Sequence, residues 1–221
     1  MPPVKIVRIL FQETIPPQKL PLFRGVMINM SDNNVLFHNH MGDNYRYSYP
    51  KIQYKLANSH PALIGINEGA DALLSMQDTL RSFYCRLGQE TTMFNLAFCS
   101  EEQTEIAVDS EVTPYLLYDW LPLNSRNLVQ YSNADGLAER TMILESILTG
   151  NILSMAKGLD IHLDSRIICK IDDFSHDGKS DFKGIGMENF KVRFRCNVTL
   201  PEGIGLGKSA SQNHGTIIKL N

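Results

Sequence analysis

The sequence predicts an α+β protein with two small sheets, each carrying one or two helices on one face. Three observations lead there. Short runs of β-branched and apolar residues recur from Val4 to Leu220 with the period of a strand. Amphipathic helical patterns fall between them, the longest in the second half. Of the 221 residues, 43% are hydrophobic, enough for ordinary cores and too many for a disordered chain. That length suits one large domain or two of about 100 residues each.

In chain order, Val4–Phe11 (VKIVRILF) is the first expected strand, ending ahead of Pro16-Pro17. Leu20–Met30 (LPLFRGVMINM) is apolar at helical spacing, with Pro21 confining its start. Residues 52–56 and 62–66 read as two strands turned at Asn58-Ser59-His60-Pro61. A short helix after Gly65 puts Ala70, Leu73 and Leu74 on one side. Residues 91–99 and 105–108 suggest a hairpin around Glu101-Glu102. In the second half, 124–131 is a short helix and 137–157 a long one. The long helix has an apolar stripe of Leu137, Leu144, Ile147, Leu148 and Met155, with Gly158 as its C-cap. Strands are expected at 167–171, 190–200 and 216–220. The halves divide into domains 1–112 and 113–221, joined near 112–123.

The formal charge of −3 and pI near 6.1 exert no general pull toward nucleic acid. The average conceals an asymmetry. From Lys183 onward six basic residues face two acidic ones, a net +4. Cys85, Cys99, Cys169 and Cys196 are widely spaced without a CxxC, as expected for reduced, partly buried thiols rather than zinc ligands or disulfides. "MPPVKIVRILF" has no long apolar core and no cleavage site, so no signal peptide is expected. No apolar run reaches the roughly 18 residues that span a bilayer. The expected location is the cytoplasm, with no membrane partner.

Two stretches carry candidate chemistry. "PEGIGLGKSASQNHGT", residues 201–216, has Gly203, Gly205, Gly207 and Gly215, where backbone amides can approach an anion, with Lys208 and Ser209 as further donors. It is not a nucleotide-binding P-loop, because Glu202 stands where that motif needs glycine. Gly205-x-Gly207-x-x-Ala210 loosely matches a dinucleotide fingerprint, but too few residues follow for a βαβ unit. The segment is either a hairpin connection or a cradle for a phosphate backbone. Lys191, Arg193 and Arg195, spaced by two on the preceding strand, share one face and favour the cradle.

The other stretch is "LFHNHMGDNYRYSYPKIQY". On an extended segment His38 and His40 share a face, which suits two metal ligands, two surface histidines or a proton-transfer pair. Asp43 lies near and His60 sits in a turn, so no third metal ligand is recognisable; no metal or other cofactor is expected. Tyr45, Tyr47 and Tyr49 alternate with Arg46 and Ser48, placing hydrogen-bonding or base-stacking rings beside the histidines.

Together, "LFHNH", "YRYSYPKIQYK", "PALIGINEG", "DWLPLN" and "GIGLGKSASQNHGTI" resemble the CRISPR-associated repeat-processing endoribonucleases, the Cas-six family, in its subtype B branch. The resemblance spans nearly the whole chain. It implies two tandem ferredoxin-like, RRM-related domains whose cleft binds the CRISPR repeat RNA, and metal-independent cleavage by the substrate's own 2′-hydroxyl. The family's histidine carries over to His40 and His38, with His40 favoured for proton transfer, and its glycine-rich loop to 203–215. Arg46, Lys51 and Lys55 would stabilise phosphate charge, and Tyr45 and Tyr47 would stack on or orient unpaired bases. A homodimer on RNA and contact with other proteins of a CRISPR effector complex fit the same resemblance. Gln212 and His214 depart from the basic and aromatic residues usual near the loop's end. With the acidic balance, they motivate a second reading: a non-catalytic RNA-binding or scaffolding protein of the same fold.

Overall fold

The computed structural model describes residues 3–38, 40–41, 44–45, 49–182 and 184–220. They form two compact units, one within 3–105 together with Ser211–Asn213 and one within Ile106–Ala210 together with 214–220.

In the first unit, β1 (Val4–Phe11) leads through a 3-10 turn at Pro17–Lys19 into α1 (Leu20–Met30). Pro21 sits in the first turn of α1, where its missing N–H has no helical partner to lose. Then come α2 (Val35–His38), β2 (His40–Met41), β3 (Asn44–Tyr45), β4 (Ile52–Ala57) and β5 (His60–Ile66). The unit continues with α3 (Glu68–Ser75), α4 (Gln77–Leu80), β6 (Ser82–Leu87) and β7 (Glu90–Thr104). The sheet order is β4-β5-β1-β7-β6, with every neighbouring pair antiparallel. Alternation on β1 turns Val7, Ile9 and Phe11 into a core shared with Phe23 and Met27 of α1 and Leu73 of α3. Phe11 meets Phe23 and Phe83 edge-on, at ring-centroid distances of 5.6 and 5.5 Å.

Two features of this unit differ from the sequence expectation. Asn58 and Ser59 both take positive φ, 51° and 68°, making a two-residue turn that lets pairing begin at Ala57↔His60. The expected hairpin at Glu101-Glu102 does not form, because β7 runs straight through both residues. Glu102 meets Arg8 at 2.8 Å and Glu101 meets Lys5 at 3.3 Å, so cross-strand charge keeps these turn-like residues extended. The reversal occurs instead at Gly88 (φ 75°), after β6, a strand the sequence pattern missed.

The second unit comprises β8 (Val108–Trp120), α5 (Ser125–Asn133), α6 (Gly136–Gly158), β9 (Cys169–Phe182), β10 (Ile185–Val198) and β11 (Thr216–Lys219). Its antiparallel sheet runs β11-β8-β10-β9. Most of 112–123, read from sequence as a joint, is the inner strand β8. α6 buries Leu144, Leu148, Ile152, Met155 and Ala156; Leu137, in its first turn, stays 69% exposed, and Gly158 is the last helical residue rather than the cap. Tyr115 of β8 stacks on Phe194 of β10 at 5.5 Å. Both units follow the β-α-β-β-α-β ferredoxin-like plan. The first adds β6 at an edge; the second has the glycine-rich segment, between β10 and β11, in place of its second helix. Cys85, Cys99, Cys169 and Cys196 are free thiols. Among the described residues no helix is long and apolar enough to cross a membrane.

Candidate nucleic-acid interface

The histidine segment is built by local backbone chemistry. After α1, Asp32 and Asn33 take left-handed φ of 52° and 57°, a conformation these two residue types tolerate. Asn34 then starts α2: its side-chain oxygen accepts from the Leu36 amide at 3.0 Å and its carbonyl from the Phe37 amide at 3.0 Å. His38 therefore closes a helical turn, whereas His40 begins β2 with its backbone opposite Tyr45. The expectation that His38 and His40 share a face of one extended segment is corrected by this change of conformation between them. The His38 ring lies 3.0 Å from the Asn33 carbonyl through Nε2. A carbonyl only accepts, so Nε2 carries the hydrogen and the lone pair of the neutral ring is on Nδ1. His40 and Tyr45 are described for their backbone; Arg46 and Tyr47 lie outside the described residues. Among the described residues no group of three or more His, Cys, Asp or Glu side chains is arranged to hold a metal ion.

β4 and the residue before it depart from expectation in their lysines. Lys51 and Lys55, read as phosphate ligands, are only 5% and 4% exposed. The Lys51 ammonium lies 3.2 Å from the Glu68 carboxylate of α3, a pairing that only the fold creates. Tyr49 accepts a hydrogen bond from Gln53 Nε2 at 3.0 Å, and Tyr54, missed as a site residue, is fully buried.

On β10 the alternation is as the spacing requires: Val192, Phe194 and Cys196 are buried, and Arg193 and Arg195 project to the exposed side with Lys191 half-buried between strands. The Lys191 ammonium stands 4.9 Å over the Tyr118 ring. Arg195 clasps Asp172, with Nε 2.9 and 3.1 Å from its two oxygens and Nη2 2.9 Å from one. Arg193 is exposed.

The glycine-rich segment is a packed loop. Ile204, Leu206 and Ala210 are buried, and its amides bond to β11 and its own strands: Gly203 N to Ile217 O at 2.8 Å, Leu206 N to Gly215 O at 2.8 Å. Gly207 (φ 81°) faces the Trp120 Nε1–Asn151 Oδ1 hydrogen bond; a Cβ there would stand 2.6 Å from Asn151 Oδ1 and 3.0 Å from Trp120 Nε1. Gly205 forms a bridge with Thr216. Lys208 is exposed, and Ser209 (φ 58°) buries its hydroxyl without a hydrogen-bond partner among the described residues. Next, Ser211–Asn213 join the first unit along the edge of β4. The Tyr54 amide donates to the Ser211 carbonyl at 2.9 Å and the Leu56 amide to Asn213 Oδ1 at 2.9 Å. His214 Nδ1 then lies 3.2 Å from the Asp119 carbonyl. Asp119, Trp120 and Tyr54 stand inside the motifs "DWLPLN" and "YPKIQYK", the signal that could have marked them.

Comparison with known proteins agrees with this architecture. Residues 3–105 match the Cas6b N-terminal domain and residues 107–220 the Cas6b C-terminal domain. An uncharacterized protein of Methanocaldococcus jannaschii, MJ0978, is 31% identical over 101 residues, covering 46% of this chain and 67% of that protein. A crystal structure of Cas6b superposes with TM-score 0.86 at 24% identity, covering 99% of this chain and 100% of that one. A second, titled CRISPR RNA processing endoribonuclease Cas6b, gives 0.75 at 23% identity with the same coverage. Matched along both halves, this chain belongs to the Cas6b branch of the Cas6 family of CRISPR repeat-processing proteins.

Proposed function

We propose that this protein is an endoribonuclease that cuts precursor CRISPR RNA within its repeats without a metal ion. The observation that carries this reading is the His38-Asn39-His40 stretch, kept in a chain that matches Cas6b over both halves. The 2′-hydroxyl oxygen attacks the adjacent phosphorus, the bond to the 5′-oxygen breaks, and the upstream product ends in a 2′,3′-cyclic phosphate. One group must take the 2′-proton and another must return a proton to the departing 5′-oxygen; an imidazole performs either task at neutral pH. His40 is assigned the dominant transfer and His38 the auxiliary one.

Arg193, with Lys191 and Arg195, supplies positive charge for the RNA backbone, and the loop's exposed Lys208 adds to it. Neutralising Lys191, Arg193 and Arg195 together should weaken binding. It should also flatten the dependence of log affinity on log salt by roughly 0.7–0.9 for each phosphate that is no longer neutralised. Arg193→Gln should account for most of the change, since Arg195 is engaged by Asp172. An unchanged slope would place the stripe away from RNA.

The burial of Lys51 and Lys55 removes two cations from the exposed set and favours the second reading, a non-catalytic RNA-binding protein of the same fold. A synthetic repeat RNA separates the two. Cleavage should persist in EDTA, yield the cyclic phosphate or its 3′-phosphate hydrolysis product, and stop when the cut-site 2′-hydroxyl is replaced by hydrogen. Cleavage of the deoxy substrate overturns the mechanism, loss in chelator revives a metal, and binding without cleavage supports the non-catalytic reading.

A further inference from the structure

A helix of one turn is not stable on its own, so something must hold α2 (Val35–His38) in place. Its last carbonyls have no helical partner, and two side chains from other elements supply the donors. The hydroxyl of Tyr54, on β4, donates to the Phe37 carbonyl at 3.0 Å. Arg24, on α1, donates through Nη2 to the His38 carbonyl at 3.1 Å. The two are themselves in contact: the Arg24 guanidinium carbon stands 5.7 Å from the Tyr54 ring centroid. Burial pushes the Tyr54 phenol up, against the opposing pull of the Arg24 charge, so the hydroxyl keeps its proton to donate.

Tyr54 has a second connection through its backbone. Its amide donates to the Ser211 carbonyl at 2.9 Å, beside the Asn213 side chain that accepts from Leu56. The same residue thus grips the tip of the glycine-rich loop with its main chain and the end of the histidine helix with its side chain. Neither contact is visible in the sequence, where Tyr54 reads only as part of the strand at 52–56.

We propose that Tyr54 is a positioning residue: it joins the glycine-rich loop to the histidine segment, and Arg24 braces the same helix end. This rests on the proposed histidine-dependent cleavage. A histidine transfers a proton efficiently only when held within hydrogen-bond reach of the reacting oxygen, and a misplacement of about 1 Å can cost roughly 10²-fold in rate. The two donors fix the carbonyls of Phe37 and His38, and so the direction in which the chain leaves toward His40.

Tyr54→Phe keeps the buried ring and its approach to Arg24 and removes one hydroxyl. Its single-turnover cleavage rate constant should fall about 10–10²-fold, with the repeat-RNA Kd unchanged within about twofold. In a His40→Ala background the same substitution should cost much less than in the wild type, because the dominant proton-transfer group of the segment it positions is already gone. Arg24→Met should behave like Tyr54→Phe, with partial rescue in Arg24→Lys, which keeps a donor. Asn213→Ala, which loosens β4 from the loop side, should give the same pattern at smaller amplitude and serves if Tyr54→Phe fails to fold. A readout independent of activity is the His38 imidazole resonance followed by NMR, expected to shift in Tyr54→Phe. If wild-type protein does not cut the repeat, the proposed function fails, and the NMR shift still tests the coupling. If wild-type protein cuts and Tyr54→Phe leaves both rate and resonance unchanged, or its cost in the His40→Ala background is undiminished, the positioning role is overturned.

Discussion

Replacing His38 and His40 together by alanine is expected to slow repeat cleavage by at least roughly 10²-fold, the usual loss for a general acid or base. RNA binding should survive, since affinity for a nucleic-acid backbone comes from cationic side chains rather than from a neutral imidazole. The fold should survive as well: the described hydrogen bond of the His38 ring is to the exposed Asn33 carbonyl, which water can satisfy. Of the single substitutions, His40→Ala should carry most of the effect and His38→Ala less; the reverse order would exchange their roles. A double substitution that cuts at the wild-type rate removes histidine catalysis from this site. Single-turnover kinetics with saturating protein, beside a filter-binding titration, separate the chemical step from affinity.

Gly215→Ala is expected to destabilise the second unit severely. Gly215 has φ 60°, and a Cβ built on it would stand 1.9 Å from the Leu206 carbonyl oxygen. Left-handed strain alone costs about 1–3 kcal/mol, and the obstacle is backbone, which cannot rotate aside. The Gly215 carbonyl also accepts from the Leu206 amide, and its own amide donates to Asp119 O at 3.0 Å, so a shift there breaks the loop's anchorage to β8. A loss of at least about 3 kcal/mol corresponds to a midpoint roughly 6–12 °C lower for a chain of this size. Gly150→Ala, in the middle of α6 with nothing within 4 Å of the added carbon, is the control and should be neutral or stabilising by about 0.5–1 kcal/mol. A thermal melt in which Gly215→Ala matches wild type would show that the loop rearranges at little cost. The prediction separates two uses of glycine: Gly207 and Gly215 are required by packing, whatever the loop binds.

Local patterns were legible where local physics decides. Val4–Phe11 and Leu20–Met30 form where the sequence places them, because β-branched alternation and a proline in the first helical turn act within a few residues. The outward face of Arg193 and Arg195 follows from the two-residue period of a strand. The motifs also pointed to the family, because they are spread over both halves.

Other features depend on residues far apart in the chain. Glu101-Glu102 has the composition of a turn, but Lys5 and Arg8 on the neighbouring strand make it part of β7. Lys51 and Lys55 have the composition of phosphate ligands, yet β4 is buried and Glu68 meets Lys51 at 3.2 Å. β8 has no clear strand pattern because its first half is polar and Pro114 interrupts it, and only pairing with β10 and β11 makes it a strand. The glycine-rich loop, open by its composition, is packed, since burial of Ile204 and Leu206 is settled by the sheet beside them. The same holds at the histidines. The sequence by itself determined that two imidazoles stand two residues apart beside a tyrosine-rich run. Only the tertiary structure decided that His38 closes a helical turn held by Tyr54 and Arg24, because the donors that satisfy that turn's last carbonyls come from two other elements of the fold.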